Sequence, residues 1–445
     1  MRSLRIALAS LLVATASLTA QAVPEGSQAA KVDRGYRRTP TFRLDPFRHA
    51  MIPHWGLVFS AGATAENNTL SFADVSALIY LKCGPVTGNR LFEAFTGDAC
   101  PGPDSLLTGD MLDALGLIPQ GSGLKVDGGG EGGVYLGGPF GGHLSLGLSL
   151  QGRGYAAGHL DDSFVALARD GNGALQDFSL GTSRGTALAT AELGAHTVLR
   201  FSSLGSEDGP DLSLGFGGRY IRPVFLVRAF STLNNGGTIR ITGDTIAANV
   251  GVRIEQTDSA INPTSGKGSI AGDFLVRLSW PTSGFALEAL VANLGKVTVT
   301  GVGIRSDTLQ IATTTITDVG DALDSFNLDS AKITQDVQVT LPRIVRFTAS
   351  AWANRFLQLD VSATMPVTGD FASPLAVDVG TTWRLIRTIP LRAGVVLGGN
   401  QGIGFTGALA IEGRNMFFQV MGQSLGGLFR NATGVGARLE LGTFF

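Results

Sequence analysis

From His143 to Arg153 the chain alternates: Leu144, Leu146, Leu148 and Leu150 fall on one side of an extended backbone, and His143, Ser145, Gly147, Ser149, Gln151 and Arg153 on the other. Successive side chains of a strand point to opposite faces, so this spacing predicts a strand with one greasy and one polar face. The pattern returns along the chain. Phe274, Val276, Leu278 and Trp280 oppose Asp273, Arg277 and Ser279; Phe285, Leu287, Ala289 and Val291 oppose Ala286, Glu288 and Ala292, with Leu290 an apolar exception on the polar side. Leu357, Leu359, Val361 and Ala363 oppose Gln358, Asp360 and Ser362, and Leu375, Val377, Val379, Trp383 and Leu385 oppose Asp378, Gly380, Thr382 and Arg384. Leu391, Ala393, Val395 and Leu397 then lead through a turn at Gly399-Asn400-Gln401 into Ile403, Phe405, Leu409 and Ile411, opposed by Thr406 and Glu412.

Spans of about ten alternating residues joined by turns are what a transmembrane barrel requires, because every backbone polar group must pair inside the membrane and no sheet edge can face lipid. A soluble sandwich alternates too, but its strands run to about five or six residues, and the greasy face here carries almost no charge. The expected fold class is all-β: an antiparallel up-and-down transmembrane β-barrel of about 14 strands, within about 12 to 16, with short helices in loops or as a plug. The last strand adds a specific sign. Val435, Ala437, Leu439 and Leu441 face one way, Gly434, Gly436, Arg438, Glu440 and Gly442 the other, and the chain ends on Phe444-Phe445. This resembles the C-terminal assembly signal of bacterial outer-membrane proteins, carried by Leu439, Leu441 and Phe445, with Thr443 standing where an aromatic residue is common. The resemblance implies insertion by the barrel assembly machinery among outer-membrane lipids and lipopolysaccharide.

The start of the chain agrees with export. Met1-Arg2-Ser3-Leu4-Arg5 precedes an uncharged apolar stretch to Leu18 and then Ala20-Gln21-Ala22, so residues 1–22 read as a signal peptide cleaved before Val23. Residues 23–53, with Arg34, Arg37, Arg38, Arg43 and Arg48 and no alternation, read as an N-terminal plug or periplasmic extension, and residues 54–445 as the barrel. The expected place is the cell outer membrane. Charged residues make up 16% of the chain and the net charge is -2, against about 25% charged in an average soluble protein, which gives no support to nucleic-acid binding. The longest uncharged run after the signal, between Arg392 and Glu412, holds Gly398-Gly399-Asn400-Gln401 at its centre and reads as a hairpin rather than a helical span. Cys83 and Cys100 are the two cysteines; in an oxidising compartment they predict one loop disulfide worth roughly 3 kcal/mol.

If the apolar face meets lipid, the other face lines the lumen. There Arg153, Arg277, Arg346, Arg384, Arg392 and Arg438 are matched by Asp273, Glu288, Asp360, Asp378, Glu412 and Glu440. An ion-selective pore shows an excess of one sign; a balanced set predicts pairs across neighbouring strands, hence a braced or plugged lumen. Asp104-Ser105 can cap a short helix carrying Leu107, Met111 and Leu115, and Phe164 to Arg169 and Ala322 to Phe326 are weaker helical stretches.

Motifs of chemistry are few. His143-Leu144-Ser145-Leu146-Gly147 resembles the His-x-Ser-Asn-Gly motif of outer-membrane lipid hydrolases, with Leu146 in place of Asn and both polar residues on the lumen face rather than toward lipid. Gly128 to Gly133 lacks the Lys-Ser/Thr of a phosphate loop and reads as strand and turn glycines. Ser206 to Asp211 reads as a solvated acidic turn. Five scattered histidines and two cysteines form no transition-metal cluster, and the expectation is a non-enzymatic chain without metal or cofactor.

Asn67-Asn68-Thr69-Leu70-Ser71-Phe72, Ala191-Glu192-Leu193-Gly194, the run Leu214 to Tyr220, Asn293-Leu294-Gly295 and Leu341-Pro342 together resemble, in layout, the outer-membrane barrels grouped around the long-chain fatty acid transporter FadL, the secretion barrel PorV and conjugal-transfer TraF-type proteins. The resemblance covers most of the chain after residue 22, and the TraF-type or uncharacterised members fit better. It implies either passive passage of small or hydrophobic molecules across the outer membrane or a non-transporting scaffold for an envelope secretion or conjugation-like assembly with a partner protein. A lipid hydrolase using His143 and Ser145 is the remote third reading.

Overall fold

The computed structural model describes residues 46–51, 54–71, 118, 121, 123–163, 165–166, 176–179, 181–202, 209–233, 237–242, 245–257, 267–315, 333–354, 356–367, 371, 373–386, 388–400, 402–428 and 431–445. They form a short helix α1 (Pro46–Ala50), then β1 (Gly56–Asn67), β2 (Leu124–Pro139), β3 (Leu144–Leu160), β4 (Gln176–Phe178), β5 (Arg184–Phe201), β6 (Asp211–Ser231), β7 (Thr238–Thr242), β8 (Thr245–Gln256) and β9 (Ser269–Trp280). There follow β10 (Phe285–Thr315), β11 (Ile333–Thr340), β12 (Ile344–Trp352), β13 (Leu357–Pro366), β14 (Ala376–Ile386), β15 (Ile389–Gly398), β16 (Gly402–Glu412), β17 (Met416–Leu425) and β18 (Gly434–Phe444).

The wall runs antiparallel from β1 through β2, β3, β5, β6, β9 and β10 to β12 and on in order to β18. The first and last strands pair from Gly56↔Phe444 to Glu66↔Gly434. That seam closes a barrel of 14 strands, as the alternation predicted, and leaves no sheet edge for lipid to meet. The remaining strands stand off the wall at one end. β6 pairs with β9 up to Ile221 and with β8 from Val227. β10 pairs with β12 as far as Ala292 and with β9, across a register shift, as far as Gly295, then with β11 from Lys296 and with β8 from Gly303.

The two ends of the barrel differ. Gly56 and Phe444 share one end with the short turns after β2, β9, β12, β14 and β16. The connections between wall strands of more than nine residues, after β1, β3, β6 and β10, leave the other end, which in outer-membrane barrels is the extracellular one. Outside the wall lies an apolar band: Leu148, Leu150, Leu193, Phe216, Phe347, Leu409 and Val420 are exposed, as are Val435, Leu439 and Leu441 of the last strand, with Phe445 at 74%. Water would penalise such a continuous surface, whereas acyl chains match it, so this is the architecture of an outer-membrane protein. No described helix is long and apolar enough to cross a membrane; the strands make the crossing.

Several sequence expectations lie outside the described residues: the signal peptide at 1–22, residues 23–45 of the N-terminal segment, Cys83 and Cys100, the helix expected after Asp104, and Ala322 to Phe326. Of Phe164 to Arg169, residues 165–166 are described; they are helical, with Val165 buried. The apolar exception Leu290 has a reason. It is 3% exposed and packs with Phe47, Ala50, Val198 and Leu275, so it faces α1 inside the lumen rather than water.

Candidate functional site in the lumen

The register lets the inner wall be read row by row. Nearest the chain termini, Ser145, Val198, Gly215, Leu275 and Leu290 stand in successive strands. α1 rests on this row. Phe47 and Ala50 are fully buried there, the Phe47 ring meets His196 edge-on at 5.3 Å, and His49 stacks on Tyr135 at 4.6 Å. The wall makes room by omitting side chains: a Cβ at Gly215 would lie 2.8 Å from Phe47 Cδ1, and one at Gly137 would lie 2.8 Å from the His49 carbonyl oxygen. Glycine is what lets a helix approach this closely.

Above α1 the rows become charged. Arg219, 1% exposed, donates from Nε to Asp273 Oδ2 at 2.8 Å and from Nη2 to Asp273 Oδ1 at 3.0 Å, and it also reaches Glu192 and the Asn293 Oδ1. Arg153 lies 3.6 Å from Glu131 and 3.7 Å from Glu192, and its Nη1 donates to Asn293 Oδ1 at 3.2 Å. Gln151 donates to Glu192 at 2.8 Å, Thr190 to Glu192 at 3.0 Å, and the Tyr135 hydroxyl to Gln151 at 2.7 Å, while His196 Nε2 lies 3.5 Å from Asp273. Charges taken out of water are tolerated only when paired and hydrogen-bonded on several sides, and this hub meets that condition.

Asn293 ties the hub to the course of the wall. Its backbone N–H donates to Asp273 at 2.9 Å and its side-chain amide to the Pro342 carbonyl at 2.8 Å. It has φ of 64°, a left-handed conformation that asparagine tolerates better than most residues. At this point the β9–β10 register shifts between Val291 and Leu294, and after Gly295 β10 leaves the wall to pair with β11. Its continuation contributes Val297, Val299 and Val302, which pack with Val337 of β11 against Leu188, Ile221 and Leu226 of the inner wall. The lumen on this side is thus layered: apolar around α1, charged at the hub, apolar again beneath the outer mouth.

The charges predicted to line the lumen pair as follows. Arg438 donates to Glu131 at 2.8 Å, Glu440 at 3.2 Å and Ser60 at 2.9 Å, across the closing seam. Arg392 reaches Asp360 at 2.6 Å, Asp378 at 2.9 Å and Thr406 at 2.9 Å. Arg384 holds Glu412 at 2.6 Å, and Arg346 and Arg277 approach Glu288 at 3.3 and 3.8 Å. Arg153 and Asp273 join the hub already described. The sequence reading missed Glu131, Glu192, Arg219 and Asn293 as site residues. Glu192 and Arg219 carry the lumen-face parity that would have found them; nothing local marks Asn293 as a bend.

Ser145 is buried on the lumen face, and His143 makes its contact at 3.2 Å with the Arg200 carbonyl rather than with Ser145. Gly128 to Gly133 lie within β2 as strand glycines. Beyond the membrane-crossing part, Asp161 accepts from the Ser163 N–H at 3.2 Å and from the Thr182 N–H and hydroxyl at 3.2 and 3.3 Å. Burial pushes its pKa up, but these donors outweigh it and hold the carboxyl below its usual range.

No protein-family model matches the chain, and no curated protein matches it by sequence. Among solved structures it is similar to the toluene transporter TbuX of Ralstonia pickettii, at 10% identity over 90% of this chain and 92% of that one with a TM-score of 0.46. It is also similar to the toluene transporter TodX of P. putida, at 8% identity over 90% and 92% with a TM-score of 0.47. A Pseudomonas aeruginosa FadL homologue shows 11% identity over 90% and 92% with a TM-score of 0.42.

Proposed function

We propose that this chain is a passive outer-membrane channel for small hydrophobic molecules, closed in the conformation described. The observation that carries the reading is the apolar inner wall. A water-filled pore presents polar side chains to its lumen, whereas here Leu188, Ile221 and Leu226 on one side of the hub and Val198, Leu275 and Leu290 on the other face inward. Such rows offer a solute that has shed its water the contacts it needs. Passage then requires α1, the hub and the inner part of β10 and β11 to shift, since these cover the two rows. In this reading residues 1–22 direct export, the assembly machinery inserts the barrel, Cys83 and Cys100 staple an outer loop, and lipid and lipopolysaccharide surround the wall.

The filling of the lumen by α1 and the hub favours a second reading, a non-transporting scaffold for an envelope partner protein. The two separate in vesicles with lipopolysaccharide in the outer leaflet. The channel reading expects radiolabelled toluene to enter faster when the protein is present; equal rates would remove it and leave the scaffold, whose sign is a co-purifying envelope protein.

A further inference from the structure

α1 has five residues, short of the about 12 to 15 at which a helix holds itself in water, so its place in the lumen is set by the side chains it inserts. Phe47 is the largest of these and is fully buried. Its ring packs with Val198 of β5, Leu275 of β9 and Leu290 of β10, none more than 3% exposed, and with Ala50. The wall is shaped around the ring. A Cβ at Gly215 would lie 2.8 Å from Phe47 Cδ1 and 2.9 Å from Cε1, so the edge of the ring fills the space that a side chain on β6 would take. The imidazole of His196 meets the ring edge-on, with 84° between the planes and 5.3 Å between the centres, an arrangement that aromatic pairs favour. His196 has its own clearance, since a Cβ at Gly217 would lie 2.5 Å from its Cδ2.

Wall and helix thus form a cradle one ring in size, apolar along β5, β9 and β10 and bounded by the hub where His196 stands 3.5 Å from Asp273. The C-terminal end of α1 is fastened separately: Arg200 Nη2 donates to the Met51 carbonyl at 2.9 Å. The ring can therefore leave the cradle while the chain stays tied to β5.

We propose that this cradle is a binding site for a single neutral aromatic ring, that Phe47 occupies it as an internal stand-in, and that an aromatic solute displaces Phe47 and so frees α1 from the wall. The wall groups that hold one phenyl ring hold another equally. Burial of apolar surface favours any hydrophobic body, and the edge-on imidazole adds a contact that an aromatic ring returns and a saturated one does not. An anionic ring would carry its charge among Val198, Leu275 and Leu290 at the cost of its hydration. A long alkyl chain would run into the hub, whose charges already hold one another. The inference deepens the channel reading and rests on it for the arrival of the solute; the site itself is testable without flux.

Fluorine NMR on the full chain in lipid nanodiscs, with 4-fluorophenylalanine at position 47 and toluene as the probe, tests it. The expected result is a buried signal that gives way saturably to an exposed one, and cyclohexane should act several-fold more weakly. In Phe47→Ala the tethered competitor is gone, and calorimetry should show toluene binding about tenfold tighter than in the unaltered chain, because apparent affinity is lowered by the fraction of time that a site stands open. Phe47→Leu, which fills the cradle less well, serves if the alanine variant does not fold, with a several-fold gain expected. A signal unchanged at saturating toluene overturns the proposal. Toluene affinity unaltered in the variants, or cyclohexane acting as well as toluene, also overturns it. Displacement of the ring without toluene uptake into vesicles keeps the site and removes the channel reading, whereas uptake without displacement keeps the channel and removes the site.

Discussion

The two halves of the barrel wall are built by different rules. From β12 to β18 each strand has 9 to 11 residues, about one bilayer crossing, and lumen charges pair with strands close by, as Arg392 does with Asp360 and Asp378. From β2 to β6 the wall strands have 16 to 21 residues. Inside them Arg153 of β3, Glu192 of β5 and Arg219 of β6 converge with Asp273 of β9 and Asn293 of β10 on one hub with α1 beneath it. One half supplies the minimum that a membrane demands, and the other adds a packed interior and an outer vestibule. On the proposed channel reading, a solute moving through the barrel meets the packed interior of the first half.

The comparison can be broken at its strongest point. Arg219→Ala removes the guanidinium that Glu192 and Asp273 share in the interior, and removing one partner from a buried pair costs about 3–5 kcal/mol; urea unfolding in lipid vesicles should show that loss, and one below about 1 kcal/mol would mean the hub does not hold this half together. Leu148→Arg, on the lipid face near mid-membrane, should cost about 2–4 kcal/mol in the same assay, whereas a negligible cost would mean Leu148 faces water. Gly215→Val pushes a methyl-bearing Cβ into Phe47, so a loss of about 1–3 kcal/mol should accompany faster proteolysis at residues 46–51; unchanged proteolysis would place α1 elsewhere. The smallest effect is at Asp161. Its folded pKa lies below the unfolded value of about 3.9, so its contribution is whole above that value and fades as pH falls through the folded pKa. The group is only partly buried and the increment is small. Asp161→Ala should flatten the acid limb of the stability curve slightly, and identical curves would show that its hydrogen bonds add nothing.

The second half was legible because its neighbours in space are neighbours in sequence. A tight turn fixes register, and a slip by one residue would turn Leu391, Val395 and Leu397 into the lumen and Arg392 into lipid, so alternation alone places each side chain. The first half was not legible in the same way. Arg219 and Glu192 had the right parity, but their pairing depends on β6 lying beside β5 across a connection of no particular pattern. α1 has five residues, too few for a periodic signal. Leu290 was visible only as a break in the pattern, and its meaning required knowing that a helix lies opposite. Asn293, where β10 turns off the wall, sits in a segment whose alternation continues on both sides.

The halves meet at the seam between β1 and β18, and every statement about inside and outside rests on that closure. Ala63 and Ala437 are register partners there, both small and on the lipid side. With Cys83 and Cys100 replaced by serine, Ala63→Cys and Ala437→Cys should oxidise to a disulfide in the folded protein, since paired strands bring Cα atoms to about 4.5–5.5 Å. The cross-linked chain should run differently from the reduced one on a denaturing gel. Failure of the pair to cross-link in folded, membrane-inserted protein would contradict the closed barrel.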